Sequence, residues 1–124
     1  MSAGTYNIIA EQGATYSKLF TLTNSAGDLI DLTGYTARLQ VREKYSSEVK
    51  LLDLTTENGG ITLGGAAGTV TVLATATQMA AITVPDLPGT PPKRSAVYDL
   101  ELITGSTITR LLQGKFDITR EVTR

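Results

Sequence analysis

"DLTGYTARLQVREK", residues 31–44, turns abruptly from a tight turn into a strand. Asp31-Leu32-Thr33-Gly34 joins a side chain that bonds its own backbone to a glycine that tolerates positive φ, which is turn chemistry. From there the apolar residues recur at every second position. Tyr35, Ala37, Leu39 and Val41 point one way, and Thr36, Arg38, Gln40 and Arg42 point the other. A period of two belongs to a strand with one face buried. The outward row Arg38-Gln40-Arg42 is then either a solvated sheet face or a surface that meets a partner.

The same period extends along the chain in both directions. Tyr6–Ala10 reads as a short first strand, and Thr15–Thr23 alternates with Tyr16, Phe20 and Leu22 on one face. Asn24–Asp28 is dense in turn formers. Val49–Thr56 reads as a strand that enters a hairpin at Glu57–Gly60, because Asn-Gly accepts positive φ. A second glycine-rich turn, Gly64–Gly68, leads into β-branched "TVTVLAT", and two hairpins so close predict a meander. Thr75 followed by Ala, Gln and Met predicts one short helix near residues 76–82, packed on the sheets because it could not persist alone. Val84–Ser95 holds all four prolines and reads as a long exposed loop. Ala96–Thr104 and Thr107–Thr119 close the chain as two strands around a tight turn, with Gly114 allowing a bulge or a close contact. Short strands at regular spacing, with too little helix for parallel crossovers, predict one all-β domain over residues 1–124. Its expected architecture is an antiparallel β-sandwich, immunoglobulin-like in the broad sense.

Composition narrows the chemistry. The 124 residues contain no cysteine and no histidine, which removes disulfides, thiol catalysis, the commonest general base and the commonest metal ligand. Eleven basic side chains against twelve acidic ones give no basic excess for nucleic acid. No apolar run approaches the roughly 20 residues of a membrane helix, and "MSAGTYNIIAEQG" lacks the basic region of a secretory signal. The expectation is therefore a soluble protein made in a reducing cytoplasm, with no nucleic-acid or membrane partner.

"GGITLGG" and "GGAAGT" lack the Lys-Ser/Thr of a phosphate loop and read as turns. Asp99 and Glu101 share a strand face about 7 Å apart, a spacing open to acid–base work. They are better read as partners of Arg38 and Arg42 across strands, worth roughly 0.2–1 kcal/mol each. Asp28 and Asp31 follow turn chemistry without the spacing of a calcium loop. No catalysis, cofactor or metal is expected.

The order of features resembles small β-sandwich structural proteins of tailed bacteriophages. It is similar to the N-terminal domain of phage baseplate upper proteins. The likeness is carried by "AEQGATYSKLFTLTNSAGDLIDLTGYTARLQVREK", "LTTENGGITLGGAAGTVTVLATATQMAAI" and "VYDLELITGSTITRLLQGKFDITREVTR", and it covers nearly the whole chain. The chain departs from that pattern in having no coiled coil after "EVTR". The resemblance implies a non-enzymatic virion subunit, in the tail or baseplate, made in the host cytoplasm. It would contact other phage virion proteins and form a homo-oligomer, with a trimer favoured. Alternatives are a capsid decoration or neck protein, and a carbohydrate-binding module using Tyr6, Tyr16, Tyr35, Tyr45 or Tyr98 as a platform.

Candidate contact residues follow from geometry. They are Arg38, Gln40 and Arg42 on the outward face, and Pro85, Pro88, Pro91, Pro92, Lys93 and Arg94 on the stiff loop. Arg120 and Arg124 join them, on a terminal arm.

Overall fold

The computed structural model describes residues 4–84 and 93–120. Two sheets face each other. The larger contains β1 (Gly4–Thr5), β2 (Ile8–Glu11), β4 (Thr36–Arg42), β5 (Leu52–Thr55), β8 (Lys93–Thr104) and β9 (Thr107–Thr119). Its order is β1-β9-β8-β4-β5, with β2 also on β9. The smaller sheet contains β3 (Tyr16–Thr21), β6 (Ile61–Leu63) and β7 (Thr69–Ala74), in the order β3-β7-β6. The expected all-β, immunoglobulin-like sandwich is the observed architecture.

Alternation fills the core. Ala37, Leu39 and Val41 of β4, Tyr98, Leu100 and Leu102 of β8, and Phe116 and Ile118 of β9 face Val70, Val72 and Ala74 of β7. The helix α1 (Ala76–Ala80) forms where the sequence places it. Thr75 accepts from the Gln78 N–H and the Gln78 side chain accepts from the Thr75 N–H, a reciprocal cap. Met79, fully buried, pins it to the core.

Three expectations need correction. First, the turn at Glu57–Gly60 is no hairpin, because β5 and β6 lie in different sheets. Leu54 and Ile61 are both buried, so the chain crosses the sandwich here to put both into one core from opposite sides. The meander is thus reduced to the β6–β7 hairpin at Gly64–Gly68, closed by a 3₁₀ turn at Gly65–Ala67. Second, the sheet is not purely antiparallel: β1 and β2 run parallel to β9. Because the chain leaves β2 for the other sheet, no helical crossover is needed.

Third, β8 begins at Lys93, so Lys93 and Arg94 belong to a strand and not to the proline-rich loop. Their pairing with Thr119 and Ile118 extends the long β8–β9 hairpin, and Arg94 keeps its head at the surface from an inward position. Pro85, Pro88, Pro91 and Pro92 lie outside the described residues, as does Arg124. Of the two uses expected for Gly114, the bulge lies elsewhere: it falls opposite Leu100 and Glu101, which pair with Leu112 and Arg110 and leave Leu111 extra. Gly114 serves the other purpose, close approach: a methyl there would overlap the Tyr6 carbonyl oxygen.

Candidate functional site

The outward face of the larger sheet assembles the residues singled out above. Partners in register share a face, so Arg38 lies beside Glu101 and Gln40 beside Asp99, while Glu101 lies beside Arg110. Cations (Arg38, Arg42, Arg110, Lys115, Lys93) and carboxylates (Asp53, Asp99, Glu101, Asp117, Glu11) interleave across the strands. The outward face of the smaller sheet is the opposite case. Ser17, Leu19, Thr21, Thr62, Thr69, Thr71 and Leu73 carry no charge there.

Arg38 Nε sits 2.8 Å from Glu101 Oε1, so the expected cross-strand pairing exists for this arginine. Arg42 behaves differently. Its Nη1 donates to the carbonyls of Ser47 and Glu48, both at 2.8 Å, and its Nη2 donates to Gln40 Oε1 at 3.0 Å. It therefore holds the turn after β4 against the sheet, where three carbonyl-type acceptors would otherwise lack a fixed donor. Asp99 is served by Arg110, at 3.4 Å, and not by Arg42. Burial, and then the neighbouring Glu101, hold the Asp99 carboxyl above its ordinary value, against the opposing pull of Arg110, Arg38 and Arg42.

Between these groups lies an open hollow of about 200 Å³, lined by Gln40, Arg42, Tyr45, Val97, Tyr98, Asp99 and Arg110. Tyr45 stands at its rim, 74% exposed. A second hollow, of about 420 Å³, is lined by Glu43, Ser47, Glu48, Val49, Leu51 and Arg94.

The remaining candidates have structural partners. Lys93 lies 3.6 Å from Asp117. Arg94 donates to the Thr83 carbonyl at 2.8 Å and faces Glu43. Arg120 donates to the Val84 carbonyl at 3.2 Å, tying the end of β9 to the chain beyond α1. Asp31 accepts from the N–H and the hydroxyl of Thr33, which hold its carboxyl below the ordinary value. Asn24 bridges Ala26 and Asp28 in the same manner. No group of three or more metal-ligating side chains occurs among the described residues. No helix there is long and apolar enough to cross a membrane.

The tyrosines do not form a platform. Tyr16 and Tyr98 pack edge-on against Phe116, and Tyr98 donates to the Tyr6 carbonyl at 2.6 Å. Tyr6 packs against Phe20, which leaves Tyr45 as the one fully outward ring. Sequence reasoning named Tyr45 only as one of five tyrosines of a platform, and it missed Arg110 and Ile9. Ile9 carried a signal, because two adjacent isoleucines in one strand cannot both face the core.

No family model matches the chain, and neither does any curated protein. Solved structures do. The extracellular domains of the voltage-gated sodium channel β4 subunit, described as parallel homodimers that explain a role in cell–cell adhesion, align over 98% of this chain and 97% of theirs. The TM-score is 0.44 at 11% identity. A second structure, from work on multimeric cell-adhesive interactions of voltage-gated sodium channel β subunits, aligns over 98% and 96%, with TM-score 0.41 and 13% identity.

The reading of the chain as a tailed-phage tail or baseplate subunit, with capsid-decoration, neck or carbohydrate-binding alternatives, is corrected by these findings. The similar folds are adhesion-related extracellular domains, and nothing found points to a phage structural protein. The physical reason is visible in the turns that carried the likeness. Asp31 with Thr33, and Asn24 with Asp28, make local hydrogen bonds that any sandwich can use. A trimer is named for neither of these structures.

Proposed function

We propose that this chain is a non-catalytic protein-contact domain that associates with copies of itself through the outward face of its larger sheet. The observation that carries this reading is the alternation of charge across neighbouring strands, as in the row Arg38, Glu101, Arg110. A face of evenly mixed sign has no use for a polyanion, yet it is complementary to a rotated copy of itself. Tyr45 and the hollow beside it add an aromatic group and a recess to receive one, both features of contact surfaces. Catalysis finds no support in the carboxylate pair, since Asp99 and Glu101 are each engaged by an arginine of a neighbouring strand, Arg110 and Arg38.

The test is sedimentation velocity over a wide concentration range, on the wild type and on the double variant Tyr45→Ser/Arg110→Glu. Both positions are exposed, but Arg110→Glu loses the pair with Asp99 and sets a carboxylate opposite Glu101, so the melting temperature should fall modestly and is measured first to show that the variant is folded. Self-association should weaken at least tenfold. A variant that stays folded and associates as the wild type does would remove this face from consideration.

A further inference from the structure

We infer that the open edge formed by β1 and β2 is a strand-pairing site for a second copy of this chain, centred on Ile9. The inference rests on the self-association proposed above, but not on the outward face assigned to it there. An edge strand offers unpaired N–H and C=O groups, and folded proteins usually block them. Three of the four edges here are blocked. On β5 the Asn58 side chain acts as a substitute strand, donating to the Asp53 carbonyl and accepting from the Thr55 N–H, both at 2.9 Å. On β3 the inward-turned Lys18 holds its Nζ 5.6 Å from the Tyr6 ring centroid, and β6 is only three residues long.

The fourth edge has no such device among the described residues. β1 and β2 keep one register on β9 and behave as a single bent strand. The N–H groups of Tyr6 and Gln12 donate to Gln113 and Thr119 of β9. By the period of two, even positions face β9, and Ile9 turns its N–H and C=O to the open side. Its side chain is 74% exposed.

A two-fold axis at Ile9 identifies the occupant as this chain. In an antiparallel pair, a residue whose N–H and C=O both face the partner exchanges two hydrogen bonds with its opposite number, so Ile9 would meet Ile9 of the copy. Their side chains would cover each other. The same axis sets Glu11 of the copy beside Asn7, whose side chain already accepts from the Lys115 N–H. Lys115 and Glu11 are both exposed, and neither is in an ion pair among the described residues. Across the axis they stand two strand spacings apart, about 10 Å between backbones, within the joint reach of the two side chains.

The chain has no cysteine, so a single introduced thiol reports one contact. Opposed residues of this kind have Cα atoms about 5.5 Å apart, within disulfide range. Ile9→Cys and Gln40→Cys are oxidised mildly and the yield of covalent dimer is followed with time; Gln40 marks the outward face. Ile9→Cys should cross-link at least tenfold faster than Gln40→Cys. In the Ile9→Cys background, Glu11→Lys or Lys115→Glu alone should slow the reaction severalfold, and the two together should restore it. Fast cross-linking at Gln40 with none at Ile9 would overturn the edge and leave the face standing. Slow reaction at both would overturn the edge, and sedimentation velocity on the same proteins then shows whether the self-association itself stands. A mixed disulfide with a different protein in place of the homodimer would overturn the second copy as occupant.

Discussion

Asn58→Ala should destabilise the fold by an amount that follows from its bonds. The side-chain oxygen accepts from the N–H groups of Thr55 and Gly60, each at 2.9 Å, and the side-chain nitrogen donates to the Asp53 carbonyl at 2.9 Å. The bond from the Asn58 N–H to the Thr55 hydroxyl survives the change, because it uses only the backbone of residue 58. A net hydrogen bond is worth about 0.5–1.5 kcal/mol, and the edge is open enough for water to replace part of what is lost. Three bonds at the low end give about 1.5–2 kcal/mol, or roughly 5–7 °C in melting temperature for a domain of this size. Asn58→Asp keeps the acceptor and loses the donor, so it should fall between alanine and the wild type. Urea unfolding of the three proteins measures this order, with the slope against urea checked for constancy. An Asn58→Ala protein within about 0.3 kcal/mol of the wild type would refute the claim that this side chain closes the β5 edge.

Two further outcomes test the packing and the buried hydroxyls. Gly114→Ala should cost about 2–3 kcal/mol, because the methyl has to displace the Tyr6 backbone and the Asn7 amide that seat β1 and β2 on β9; urea midpoints give the value. Burial, with Tyr6 adding to it, holds the Tyr16 hydroxyl up at about 12 against an ordinary 10.0, and Tyr98 moves the same way. A folded pKa above the unfolded one contributes stability that is complete below pH 10 and is lost as the pH climbs through 12. Unfolding midpoints measured across that window should fall, and Tyr16→Phe should make the fall shallower; an unchanged slope would show that Tyr16 ionises equally well in the folded chain.

The period of two was legible because burial is decided residue by residue, and it gave the faces of β4 correctly from Ala37, Leu39 and Val41. The helix was legible for a local reason too, since Thr75 and Gln78 cap each other within four residues. What the sequence left hidden depends on which strands become neighbours. Asn58 looks like the first half of an ordinary Asn-Gly hairpin, yet its side chain stands in for a missing strand because β5 ends a sheet and β6 starts the other. Arg38 and Arg42 are equivalent by spacing. Only the Ser47 and Glu48 carbonyls, brought back by the turn after β4, separate an ion-pair partner from a turn anchor. Ile9 is the sharpest instance. Beside Ile8, alternation marks one of the two as outward, but what that exposure serves is fixed only once β2 is known to be the outermost strand, on β9. Edge status belongs to topology, and the residues that seal or open an edge therefore announce themselves only after the sheet order is known.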